Sequence, residues 1–259
     1  MQLSQWLLLY VPTWILFTAA ILSSVSLSIL GLILMRRLVS HKKLKIHNDV
    51  AGPIFSTFGV IYAVLLAFTV IVTWENFDRS KQNVEKEVNR LFDLQVDSVA
   101  FSQEFTKEAR KLFVEYARTV VDDEWKLLAR GESSSKVDDI LKKIWLHYSK
   151  YTINNLTEDS FFKESVKKMN ELSELRRTRI MDSRSGIQPI LWFVLLTGGV
   201  VTVMFTYLFG TENYNAQAAM VVLLALLIAL ILFTILVFDF PFTGSVSVSP
   251  ELFLKMIKL

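Results

Sequence analysis

Four long uncharged stretches in a chain of 259 residues predict an all-α integral membrane protein. The expected architecture is four transmembrane helices in two hairpins, with a helical extramembrane domain between spans two and three. Three observations carry this reading. Each stretch is near or above the roughly 20 residues that cross about 30 Å of hydrocarbon. The charges gather between residues 75 and 185, where apolar residues recur at helical spacing. Finally, 52% hydrophobic and 20% charged residues would leave one water-soluble core with large exposed apolar patches, whereas segregation into spans and a polar domain accommodates both.

From Trp6 to Met35 no side chain is charged. Pro12 marks an interfacial lead-in, so span one is placed at about 14–35. A cleaved signal peptide is the competing reading, but no cation precedes the apolar run and no small-residue cleavage site follows it. The basic connection RRLVSHKKLKIHND (36–49) leads to span two, about 50–74, which ends at Trp74, a residue suited to the membrane interface. These elements form a first hairpin over 1–74. Pro189 opens span three, about 190–209, at a position where a missing amide costs nothing. A turn at 210–215 and span four, about 216–238, complete a second hairpin over 186–238. The run DFPFTG stops the last helix, and 239–259 reads as a tail.

The domain at 75–185 carries four amphipathic stripes. They comprise Val84, Val88, Leu91, Phe92 and Val99; Phe105 to Val121; Val137 to Tyr148; and Phe162, Val166, Met169 and Leu172. Each must bury one face against the others. RGESSSK (130–136) is the one obvious loop.

Without cysteine there is no disulfide, thiolate metal site or thiol nucleophile. His41, His47 and His147 are scattered, so neither a metal nor a cofactor is expected. Gly-rich phosphate loops and GxSxG elbows are absent, which leaves an enzyme the least supported class. The basic residues are interleaved with acidic ones, so the net charge of +3 does not call for nucleic acid. Asn155-Leu156-Thr157 matches a glycosylation sequon, relevant only in a secretory setting.

Orientation is not decided by charge. Arg36, Arg37, Lys42, Lys43 and Lys45 place the 36–49 connection in the cytoplasm. Arg79, Lys81, Lys86 and Arg90 after span two, with Arg176, Arg177, Arg179 and Arg184 before span three, favour the opposite side. The four arginines at 176–184 read as a basic collar on lipid headgroups, as partners of carboxylates such as Glu85 or Glu87, or as an attractor of anions.

No span contains an internal charge, which argues against a proton-coupled transporter and leaves a channel open. Small residues align instead: Ala20, Ser24, Ser28 and Gly31 in span one, Gly52, Ser56, Gly59, Ala63 and Ala67 in span two, Gly198-Gly199 in span three, and Ala225 and Ala229 in span four. Close helix packing explains such stripes. The sharper reading turns the span-two stripe toward a pore. At its mouth Asn48 and Asp49 serve as a helix cap or as an acidic ring. Asp239, where span four ends, bonds nearby amides or marks an ion site.

Asn48-Asp49, AGPIFSTFGVIYAVLLAF and Trp74-Glu75 resemble the bestrophin-like family of membrane proteins. Glu124-Trp125, Arg176-Arg177-Thr178-Arg179, Leu191-Trp192, Gly198-Gly199 and DFPFTG fit the same pattern, so the resemblance covers about 36–250. The chain is more distantly similar to true bestrophins, which have four spans and a helical domain after the second and assemble as pentameric ion channels. Their second span lines the pore with a proline and a glycine six residues apart, as Pro53 and Gly59 are here. This resemblance implies a homo-oligomer, pentameric by analogy, passing inorganic ions across a lipid bilayer, with Gly52, Ser56, Gly59, Val60 and Ala63 as pore-lining candidates. The family's bulky apolar neck falls on Gly52, Ser56 and Val60 and is missing. Its calcium-sensing acidic cluster has no counterpart, and Asp122-Asp123-Glu124 reads as a solvated helix face. The expected location is the cell membrane, specifically a bacterial inner membrane. The alternative function is a non-conducting anchor whose helical domain binds a partner or senses a condition.

Overall fold

The computed structural model describes residues 2–258, the side chains of residues 41 and 42 excepted. His41 therefore lies outside the described side chains. In chain order the helices are α1 (Leu3–Tyr10), α2 (Thr13–Leu38), α3 (His41–Lys45), α4 (Asn48–Asp97), α5 (Gln103–Thr119), α6 (Trp125–Leu128), α7 (Ser135–Ser149), α8 (Leu156–Arg184), α9 (Pro189–Thr206), α10 (Tyr214–Phe238) and α11 (Glu251–Ile257). No strand occurs among the described residues. Four of these helices, α2, α4, α9 and α10, are long and apolar enough to cross a membrane. The chain is a multi-pass membrane protein.

It divides into two compact units, an apolar one of residues 2–75 and 186–239 and a polar one of residues 76–185 and 240–259. In the apolar unit, Pro12 separates α1 from α2, and Pro189 occupies the first turn of α9. The side chain of Asn213 caps α10 by accepting from the Ala216 amide at 3.1 Å. Here α10 packs chiefly along α2 and also against α9.

Two tyrosines seat in glycine niches. The Tyr207 hydroxyl donates to the Ser28 carbonyl at 3.0 Å, and a methyl added at Gly31 would lie 2.6 Å from that hydroxyl. The Tyr62 hydroxyl donates to the Leu195 carbonyl at 2.8 Å, while a methyl at Gly198 would lie 2.6 Å from the ring. Ser24 adds a third crossing bond, to the Ala225 carbonyl at 2.9 Å. The small residues of α2, α9 and α10 thus serve close packing, with backbones near enough for side chains to reach carbonyls.

In the polar unit, Ser102 caps α5 through the Phe105 amide. Asn155, the sequon residue, caps α8 through the Glu158 amide at 2.8 Å, while the Glu158 carboxylate takes the Asn154 amide at 2.9 Å. The apolar stripes converge on one core of Val84, Val88, Leu91, Phe105, Phe113, Tyr116, Ile144 and Met169 with their neighbours. Residues 240–259, expected as a tail, belong to this core. Phe242, Val248, Phe253 and Met256 are buried in it, and Thr243 donates to the Ala129 carbonyl at 3.0 Å. Gly244, at φ 91°, turns the chain back toward α11. The segment differs from a free tail because its apolar residues, too short a run to fold alone, find a surface already formed by the other helices.

Phe253→Ala should therefore act as a core truncation, costing roughly 3–5 kcal/mol. Thermal unfolding of the detergent-solubilised protein, followed by tryptophan fluorescence, should show a lowered midpoint. An unchanged midpoint would mean that α11 is a dispensable tail.

Candidate functional site

The second membrane helix carries three distinct stripes. Tyr62, Leu66, Thr69 and Thr73 are buried, and Phe55 stacks on Phe205 with ring centroids 5.4 Å apart. Roughly a quarter turn away lie Gly52, Ser56, Gly59, Ala63 and Ala67. Ser56, Ala63 and Ala67 are exposed, and a methyl at Gly52 or Gly59 would meet nothing within 4 Å. Further round come large apolar residues, among them Val60 at 63% exposure, Ile61, Val64 and Phe68. The α4 glycines therefore differ from Gly31, Gly198 and Gly199, since none of the described residues fills the space beside them.

Proline inside the helix shapes the start of this stripe. Pro53 has no amide to donate, so the Asp49 carbonyl one turn earlier loses its helical partner. Ser56 donates to the Gly52 carbonyl and Thr57 to the Pro53 carbonyl, both at 3.1 Å. These hydroxyls keep their lone pairs available. The carboxylate of Asp49 is exposed.

Asn48 does not act as the cap expected for it. Its side-chain amide donates to the Gly210 carbonyl at 2.9 Å, and its oxygen accepts from the Gly210 amide at 3.0 Å. Arg36 reaches the same turn through Gln217 at 2.8 Å and the Thr211 carbonyl at 2.7 Å, and Lys45 pairs with Glu212. The 36–49 connection is thus tied to the α9–α10 turn. Asp239 accepts from the Ile187 amide at 2.6 Å and from the Trp192 indole at 3.2 Å. Both carboxylate oxygens are engaged and the residue is buried, so it closes on protein donors beside the α9 N-terminus, where negative charge is favoured.

A family model for the Bestrophin-like domain matches residues 22–253. The chain belongs to the Bestrophin-like family. No curated protein matches it by sequence. Among solved structures, two point variants of a bacterial bestrophin homologue from Klebsiella pneumoniae superpose with TM-scores of 0.70 and 0.71, at 12% and 11% identity. Both alignments cover 93% of this chain, and 98% and 96% of the homologue. The same homologue phased with zinc gives a TM-score of 0.70 at 12% identity, over 92% of this chain and 95% of its own. At such identities the likeness is one of fold.

The arginines of this Bestrophin-like chain do not form one basic collar. Arg177 and Arg184 are exposed, and Arg184 donates to the Gly131 carbonyl at 2.8 Å. Arg176 and Arg179 point into the core. Arg179, at 0% exposure, donates to Glu87 at 2.7 and 3.0 Å and to Glu124 at 2.8 Å. Its guanidinium packs against the rings of Trp125 and Phe253, 5.5 and 5.7 Å from their centroids. Arg176 bonds Glu124 at 2.6 Å, Asp138, and the Ser134 carbonyl at 3.1 Å. The Tyr116 hydroxyl donates to Glu87 at 2.7 Å.

The expectation of a solvated acidic face at 122–124 holds for Asp122, which is exposed, but not for Glu124. Glu124 is fully buried, and Asp123 is held by Ser134 and Lys136. A π-helical turn over Val120–Glu124 leads into this site. The sequence held a signal for all four buried charges. Glu87 falls in register with Val84 and Leu91, Glu124 with Val120, and Arg176 and Arg179 continue the steps of four and three from Leu172.

Burial alone would raise the pKa of Glu124, but Arg176 and Arg179 outweigh it and hold the carboxyl below the usual glutamate value. Burial likewise opposes the charge on both guanidiniums, and the facing carboxylates overcome it, so both arginines stay protonated. A carboxyl whose folded pKa is depressed stabilises the fold above its unfolded pKa of about 4.3 and loses that contribution as pH falls through the folded value. The polar unit should thus melt at a constant temperature from pH 7 to about pH 5 and at lower temperatures below it, with Glu124→Gln reducing the slope. Removing one partner strands the others, so Arg179→Met should cost roughly 3–5 kcal/mol in the same melts.

Proposed function

We propose that the protein is a homo-oligomeric ion channel of bestrophin type, with α4 lining the path. The carrying observation is the contrast between glycines. Those of α2 and α9 are filled by tyrosines of the same chain, whereas Gly52 and Gly59 border open space along an uncharged, partly hydroxylated stripe. A ring of copies placing that stripe inward encloses a path of Gly52, Ser56, Gly59, Val60 and Ala63. Hydroxyl and carbonyl oxygens then line it in place of a bulky apolar constriction. Asp49, exposed near the start of the stripe, becomes an acidic ring that favours cations at the mouth. A pentamer follows by analogy with bestrophins, and the exposed apolar face of α4 meets lipid and neighbouring copies. A bacterial inner membrane is the corresponding location, in line with the bacterial relatives.

The second reading is a non-conducting anchor. It draws support from Val96, Val99, Leu146 and Leu156, all more than half exposed on the polar unit. Purified protein in planar bilayers should give unitary currents. Ser56→Trp should reduce their amplitude by about tenfold or more, and Asp49→Asn should move the reversal potential toward anions in a salt gradient. Persistent silence from a folded oligomer, together with a protein crosslinked through residues 75–185, supports the anchor instead.

A further inference from the structure

Within the apolar unit, α4 meets α9 through the rings of Phe55 and Phe58 on Phe205 near its start and through a crossing hydrogen bond from Tyr62 in the middle of the span. Thr69 and Thr73 are buried on the same seam, but their hydroxyls bond carbonyls of their own helix at 2.8 Å. Tyr62 instead crosses. Its hydroxyl donates to the Leu195 carbonyl at 2.8 Å, and its ring is closed in by Gly198 and Gly199. A methyl at Gly198 would stand 2.6 and 2.8 Å from ring carbons Cε2 and Cδ2. One at Gly199 would stand 2.9 Å from the hydroxyl oxygen and 3.2 Å from Ile228. The ring can neither slide toward α9 nor turn without losing the hydrogen bond.

We infer that Tyr62, seated on Gly198-Gly199, is the positioning residue that sets the rotation of α4 and so decides which residues face the path. This rests on the reading of α4 as path-lining. Gly59 and Ala63 flank Tyr62 in sequence and lie about a quarter turn from it on a helix of 3.6 residues per turn. Their direction is fixed once the ring is fixed. Filling the niche must displace the ring, and α4 turns or shifts with it. The two glycines meet different parts of the tyrosine, so their substitutions have different remedies. Tyr62→Phe removes the atom that Gly199→Ala would strike but keeps the ring carbons that Gly198→Ala would strike. Tyr62→Val clears both.

The chain has no cysteine, so a single thiol reports without background. Ala63→Cys is introduced into the full-length protein in liposomes and its modification by a charged thiol reagent is timed by mass shift. Gln82→Cys in the polar unit serves as control, and bilayer currents are recorded in parallel. Gly198→Ala should change the Ala63→Cys rate by about fivefold or more, a coupling of ordinary size for contacting residues. It should leave the control rate unchanged and shift the ion permeability ratio. Tyr62→Val should restore both readouts in either glycine variant, and Tyr62→Phe should restore Gly199→Ala alone. If Gly198→Ala fails to fold, the Gly199→Ala and Tyr62→Phe pair carries the same test. Unchanged rates in the glycine variants, or double variants whose effects are products of the singles, overturn the positioning role even where currents persist. Silent bilayers with the expected labelling pattern uphold it while removing the channel reading.

Discussion

What holds the apolar unit together is the insertion of a tyrosine into the space a glycine leaves, with its hydroxyl on a backbone carbonyl. Lipid solvates leucine and valine as well as a neighbouring helix does, so burying more apolar surface gives spans little reason to associate. Close approach and hydrogen bonds must do so, and both require that side-chain volume be missing at the contact. Tyr207 over Gly31 and Tyr62 over Gly198-Gly199 meet that requirement at two levels, and the Ser24 bond to Ala225 adds a third. Both contacts involve α9 or its end: Tyr207 caps the helix and its ring enters the Gly31 niche, and Gly198-Gly199 within it receive the ring of Tyr62. The stripe on α4 stands apart because, among the described residues, none comes within 4 Å of a methyl placed at Gly52 or Gly59.

The polar unit is organised by a different constraint. Water drives its apolar stripes together, yet two carboxyl and two guanidinium side chains sit inside. Glu87, Glu124, Arg176 and Arg179 balance in sign, and the bidentate geometry of arginine on carboxylate compensates part of the desolvation. Trp125 and Phe253 close over Arg179 and place a residue of the C-terminal segment directly on the charged cluster. The loop at 130–136 is fastened from the same cluster, by the Ser134 amide on Glu124 and the Ser134 carbonyl under Arg176. One network thereby fixes two segments that look unstructured in sequence.

Much of this was legible in the residues, though unevenly. The spans could be read because hydrocarbon thickness imposes a length and a polarity on any helix that crosses it. The domain stripes at 105–121, 137–148 and 162–172 could be read because helical periodicity is local. The collar and the solvated acidic face fail only at Arg176, Arg179 and Glu124, whose positions in the stripes point inward, and the pairing of the arginines with Glu87 is the one that Arg179 makes. Asn48 was read as a cap from its place before the span, while its partner, Gly210, lies far away in sequence.

Sequence alone determined which long segments are helical and apolar, and that small residues line each span. These follow from rise per residue, propensity and capping, all properties of neighbours along the chain. Only the tertiary structure decided which glycines are filled and which stay open, which charges are paired inside, and that residues 240–259 complete a core. Each of those outcomes depends on what a distant segment brings to the contact. A one-dimensional pattern gives the direction a side chain faces but not the atoms that meet it there.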